Sequence, residues 1–240
     1  MSQKLIFRIC AVVMVASGVV ILFSTIYPIV SYQWEADQRY PTLISPLVDE
    51  ETGNFKFSKV DYTKVSNWFE GEEKENFTSP EISFFTISIP RLRIESATVA
   101  IGGEDLSKNL IQFPGTALPG KIGNAVIIGH SILPQFFDPK NYLSIFSTLP
   151  TLKEDDVIYV NYDGVSYKYM VENLFEVKPD DIQILEQNPA GSYLTLVTCT
   201  PPGHPLKPRR LIVRAGLVPS EAEVQNTEAN ADIGHNTKTQ

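Results

Sequence analysis

The chain has 240 residues, 43% hydrophobic and 20% charged, with a formal net charge of −8. That allows one domain of ordinary size plus appendages. It excludes a nucleic-acid footprint, which needs a strongly basic face, and two cysteines are too few for a disulfide framework.

Residues 9–30 carry no charge. At about 1.5 Å per residue such a helix spans roughly 33 Å, enough to cross the hydrocarbon core. Lys4 and Arg8 precede it, and Glu35 and Asp37 follow. The basic flank predicts the N-terminus in the cytoplasm and everything after residue 31 outside, a single-pass plasma-membrane protein. A cleaved signal peptide is the competing reading. The run is long for a signal h-region, however, and no Ala-x-Ala site follows it.

Residues 32–80 read as a stalk with acidic stretches, prolines and no sustained apolar period. Trp34, Phe55, Phe57, Trp68 and Phe69 in it could dock on a domain. The tail, 219–240, is polar and expected to be disordered.

Between 81 and 218 the texture changes. Apolar, β-branched and aromatic runs recur at 82–89, 94–101, 125–129, 157–162, 165–177, 193–198 and 211–217. Asp163-Gly164 between two of them is a hairpin signal. Short helical pieces are expected at 104–110, at 141–149 and just after Pro179. Many short strands with few helices predict an all-β domain, a closed or nearly closed barrel.

Three residues in this domain suggest covalent chemistry. Cys10 falls in the lipid-spanning run, which leaves Cys199 as a lone thiol. Free cysteine is often simply buried. Cys199 ends a strand, though, and Thr200-Pro201-Pro202-Gly203 then forces the chain into a loop, which predicts a thiol presented at a rim. A thiol with a pKa of about 8.5 needs a base or a cation beside it to become a good nucleophile. His130 follows the run ending in Gly129 and is the first candidate base, although it could equally be a satisfied rim residue. His204 in the loop after Cys199 is the second, and His235 lies in the tail. Arg210 and Arg209 open the last strand. Either could be merely solvated, or could donate to a substrate carbonyl and an oxyanion. Only one of the pair should face inward, because strand neighbours alternate.

Four segments in register resemble the sortases, membrane-anchored cysteine transpeptidases of bacterial surfaces. Thr195-Leu196-Val197-Thr198-Cys199 resembles the family's Thr-Leu-x-Thr-Cys signature, and Arg210-Leu211-Ile212-Val213-Arg214 its arginine-led final strand. Residues 113–120, then Gly123-Asn124 and Gly129-His130, resemble its histidine region, and 87–94 its first strand and turn. The resemblance implies an eight-stranded barrel with His130, Cys199 and Arg210 meeting at one rim and Thr198 beside the thiol, helping to position the substrate; Arg209 and His204, by their places at the strand start and in the loop, are further substrate-binding candidates. It also implies cleavage of a Leu-Pro-x-Thr-Gly-like sorting signal through a thioacyl intermediate. The partners would be surface proteins bearing that signal and a cell-wall or pilin amine.

The Asp-Pro-aromatic lid motif of pilus-building members is not found before His130, which leans toward a housekeeping-type or unclassified branch. Some members bind calcium. Glu104, Asp105, Glu172 and Glu176 are available, but no metal and no other cofactor is assigned. The rival readings are a cysteine hydrolase acting on the same intermediate and a non-enzymatic membrane-tethered β-domain with an inert, buried Cys199. A papain-like order, Cys before His, is disfavoured because only His204 and His235 follow Cys199.

Overall fold

The computed structural model describes residues 3–40, 61–65, 68 and 84–219. Much of the expected stalk and nearly all of the tail lie outside the described residues.

A single long helix, α1 (Gln3–Arg39), leads the chain. Its apolar stretch is long enough to cross a membrane and is not buried against the rest of the protein. The helix continues past residue 31, the expected limit of the anchor. Residues 31–39 contain no glycine or proline and are rich in helix formers such as Gln, Glu, Ala and Arg. An i,i+4 contact between Arg39 and Glu35 at 3.4 Å adds a little support, and Arg39 lies in the last turn where the dipole favours a cation.

Eight strands follow: β1 (Phe84–Ile89), β2 (Ile94–Ile101), β3 (Leu110–Gln112), β4 (Gly123–Ile128), β5 (Val157–Tyr162), β6 (Val165–Val177), β7 (Ser192–Thr200) and β8 (Arg209–Leu217). They close in the order β1-β2-β3-β4-β7-β8-β6-β5, so the all-β barrel is as expected. Asp163-Gly164 turns β5 into β6 with both residues at positive φ, 51° and 72°, the conformation this dipeptide favours. The short β3 had no sequence signal of its own. It pairs parallel to β2 and antiparallel to β4. The expected helical pieces at 104–110 and 141–149 are turns, while Leu149–Thr151 and Ile182–Leu185 are short 3-10 helices.

Strand alternation creates two cores. One contains residues from all eight strands, among them Ile87, Val99, Leu110, Ile127, Leu196 and Val213, and fills the barrel interior. The other uses the opposite faces of β3, β4, β6, β7 and β8, including Val126, Ile128, Val177, Val197 and Ile212. This second core lies on the outer wall. It is covered by Leu106, Ile184 and two residues from the expected stalk, Val65 and Trp68.

Candidate active site

The parallel pairing of β4 with β7 brings the histidine to the cysteine. Ile128 pairs with Val197, so the chain two residues further on sets His130 level with Cys199. Hydrogen bonds continue the alignment beyond the strand: Gly129 N donates to Val197 O at 3.1 Å, and Thr198 Oγ1 donates to Gly129 O at 2.9 Å. Ser131 Oγ donates to Cys199 O at 2.6 Å. A side chain at Gly129 would collide with Leu110 and Phe146, both 2.5 Å from a Cβ placed there. The glycine before the histidine therefore serves close packing.

Antiparallel pairing of β7 with β8 sets Arg210 directly opposite Cys199. Directly opposed residues share a face, so both side chains lie on the outer wall. Arg209, one residue earlier, turns the other way. Its Nη1 lies 3.0 Å from Asp37 Oδ1 on α1 and 3.2 Å from Glu176 Oε2 on β6. Arg210 is the member of the pair on the thiol's face, and it is only 1% exposed.

The three candidate residues thus meet at one end of the outer wall, but Cys199 is not presented openly. It is 1% exposed, and His130 is 4% exposed. The cover is a strap comprising residues 61–65 and 68. The strap is held by a small ladder: Val65 N donates to Glu104 O at 3.2 Å, and Leu106 N donates to Thr63 O at 2.9 Å. Trp68 is fully buried. Its ring lies 5.8 Å from the His130 ring and 5.2 Å from the Arg210 guanidinium carbon. Its carbonyl accepts from Arg210 Nη2 at 3.2 Å, and its Nε1 donates to Tyr62 O at 2.9 Å. Tyr62 in turn faces Lys207, whose Nζ is 4.6 Å from the ring centroid.

The strap sets the protonation states beneath it. Burial pushes the Cys199 thiol up, against the opposing pull of Arg210 and Lys207. Burial, then the Lys207 charge, lowers His130 to about 4. At neutral pH the covered site therefore holds a thiol and a neutral imidazole. Among the described residues, His130 Nε2 and Arg210 Nε are buried without a hydrogen-bond partner. Gln112 Oε1, Thr148 Oγ1, Thr200 Oγ1 and Arg214 Nε share that condition, so it does not by itself mark the site.

The remaining expected site residues lie elsewhere. The Thr198 hydroxyl is buried and committed to Gly129 O. His204 is half-buried in the β7–β8 loop, its Nδ1 accepting from Leu206 N at 3.1 Å. Of the acidic residues considered for calcium, Asp105 is engaged by Ser107 and Lys108, and Glu176 by Tyr32 and Arg209. Sequence reasoning missed Tyr62 and Lys207 at the site and placed Trp68 only as a residue able to dock. The available signal was aromatic side chains set in an otherwise polar, acidic stretch.

A family profile described as the sortase domain matches residues 87–218, more than half of the chain. The chain belongs to the sortase family. Sortase A of Bacillus anthracis is 26% identical over 226 residues, covering 93% of this chain and 100% of that protein. Sortase A of Staphylococcus aureus is 29% identical over 103 residues, 36% of this chain and 47% of that protein. Among solved structures, a lid mutant of sortase A from Corynebacterium diphtheriae is similar at 32% identity and a TM-score of 0.50, covering 60% of this chain and 75% of that one. The sortase barrel is therefore the fold, and a transpeptidase role acting on surface proteins with sorting signals comes with the family. The apolar α1 is consistent with the membrane anchor of a sortase.

Proposed function

We propose that this sortase cleaves a Leu-Pro-x-Thr-Gly-like sorting signal after the threonine and joins the acyl group to a cell-envelope or pilin amine. Cys199 gives its thiol proton to His130, and its Sγ attacks the threonine carbonyl and forms a C–S bond. Arg210 donates to the oxyanion of the tetrahedral intermediate. The C–N bond breaks, and His130 gives a proton to the departing amine. An incoming amine then loses its proton to His130 and displaces sulfur, restoring the thiol. The strap must leave before any of this occurs. Its departure rehydrates the site, which lowers the thiol pKa and raises that of His130. The N-terminus lies in the cytoplasm and the barrel outside, following the Lys4 and Arg8 flank.

The observation that carries the reading is the strand register, which sets Arg210 directly opposite Cys199 and brings His130 level with it. Thr198 supports the site by fixing the His130 strand end through Gly129. Arg209 acts at a distance, through α1 and Glu176, and His204 shapes the loop that carries Lys207. The test incubates the full chain in detergent with sorting-signal peptides, with and without an amine, and weighs the products. An acyl adduct mapped to Cys199 and an amine-dependent product are expected. Hydrolysis alone at every amine concentration would favour the hydrolase, and no adduct with any peptide would end the proposal.

A further inference from the structure

The outer end of α1 packs against the barrel. Tyr32 Oη donates to Glu176 Oε1 at 2.7 Å. Asp37 pairs with Arg209 at 3.0 Å, and Tyr40 Oη donates to Pro150 O at 3.1 Å. Ala36 and Tyr40 are buried within the interior core cluster. A cavity of about 150 Å³ between helix and barrel is lined by Tyr32 and Glu35 on one side and Pro134 and Pro202 on the other.

These contacts have an order along the helix. The apolar run ends at Val30, and the hydrogen bond of Tyr32 to the barrel comes two residues or about 3 Å later. At that level lies the end of β6, at Glu176; the start of β8 is met at Asp37, and Pro202 lines a cavity shared by helix residues from Tyr32 to Tyr40. Leu152 and Lys153, on the approach to β5, line a cavity with Arg39 and Tyr40, about 10–12 Å further from the run. Trp34, 75% exposed, stands on the helix between these levels, where an indole prefers the headgroup zone. The wall bearing Cys199 is thus the membrane-proximal side of the barrel, and the β5 side is distal.

Two loops on the proximal side expose large apolar residues. Leu206, 44% exposed, lies in the β7–β8 loop beside Lys207. Phe136, 62% exposed, lies in the loop after β4. The loops pack on each other, since a side chain at Gly203 would fall 2.6 Å from Leu133. Together they frame the Cys199 site.

We infer that the loops carrying Leu206 and Phe136 rest on the outer leaflet of the membrane that holds α1, so that the catalytic groove opens at the lipid surface. The partner of this surface is the phospholipid headgroup layer, with the two apolar side chains dipping below it and Lys207 beside the phosphates. A groove at that height meets substrates still tethered to the bilayer before it meets free ones. The inference rests on α1 spanning the membrane, as proposed above.

The test uses the full chain reconstituted in vesicles of phosphatidylcholine and phosphatidylglycerol, in parallel with lipids brominated near the glycerol, which report on positions 206, 136 and 165, and with lipids brominated near the acyl-chain end, which report on position 20. Trp34→Phe and Trp68→Phe remove the native indoles, and single tryptophans are introduced by Leu206→Trp, Phe136→Trp, Val165→Trp or Val20→Trp. Val165 begins β6 at the distal hairpin, and Val20 lies inside the span. Quenching at 206, 136 and 20 several-fold above that at 165 is expected. Quenching at 20 without quenching at 206 overturns the membrane-resting loops while leaving the anchor intact. No quenching at 20 overturns the anchor and the inference together. If Leu206→Trp does not fold, position 136 decides by the same criterion.

Discussion

Two segments from the N-terminal part of the chain lie against the end of the barrel that bears Cys199, and they are held differently. The end of α1 is tied by directional bonds: Tyr32 to the buried Glu176 carboxylate, Asp37 to Arg209, and Tyr40 to Pro150 O. The strap is tied by a short ladder and by aromatic faces laid on Arg210, Lys207 and His130. The first arrangement fixes a geometry, because breaking it leaves a buried charge. The second can be exchanged, because a substrate carbonyl and water can take over what Trp68 offers to Arg210. The same contrast separates the adjacent arginines, Arg209 serving the dock and Arg210 the covered site.

The sharpest way to break that comparison is Cys199→Ala. Transpeptidation of a sorting-signal peptide should fall below detection while the thermal unfolding profile stays close to that of the parent. Near-normal turnover would remove Cys199 from the chemistry. The next effect should come from Arg210→Lys, which loses the planar fork. It should lower kcat/KM by about 10²-fold or more, the scale of losing an oxyanion donor. Arg209→Lys should change kcat/KM far less. If Arg209→Lys were the more damaging change, the division of labour drawn here would be reversed.

Trp68→Ala sharpens the strap side. Ring–cation contacts and aromatic pairs are each worth about 0.5–2 kcal/mol. Removing the indole should therefore speed labelling of Cys199 by a thiol reagent roughly tenfold to hundredfold. An unchanged rate would mean the strap does not control access.

A smaller effect should appear with pH. His130 is held at about 4 when covered and titrates near 6.5 when released. Between those values the released form binds more protons, so the covered state loses stability as pH falls from about 6.5 to about 4 and levels off below. The melting-temperature difference between the parent and His130→Asn should shift against the parent over that window. A flat difference would place His130 in contact with water even when the strap is down.

The smallest effect should be Asp37→Asn, which removes one largely exposed partner of Arg209 and costs about 0–1 kcal/mol. Its melting temperature should stay within a few degrees of the parent. A large loss would show that the ionic tie, not the Tyr32–Glu176 bond, holds the helix to the barrel.

Much of the barrel was legible because a half-buried strand alternates or runs apolar, and runs such as 94–101, 157–162 and 165–177 match their strands residue for residue. β3 was not, because three residues carry no period. Cys199, His130 and Arg210 were legible as chemistry at strand ends. That Arg210 rather than Arg209 turns to the thiol needed the β7–β8 register. The strap was illegible for a different reason. Trp68 is buried against groups more than sixty residues away, and no local pattern encodes such a contact.

The linear order of residues by itself determined the apolar anchor, the strand count within one, the sortase motifs and the residue types available for acyl transfer, since each depends on local composition and spacing. Only the tertiary structure decided that the thiol is covered, that α1 runs on into the barrel, and which guanidinium faces the sulfur. Those depend on which surfaces meet when a closed sheet brings distant segments together, and burial, which sets the protonation of Cys199 and His130, is a property of that meeting alone.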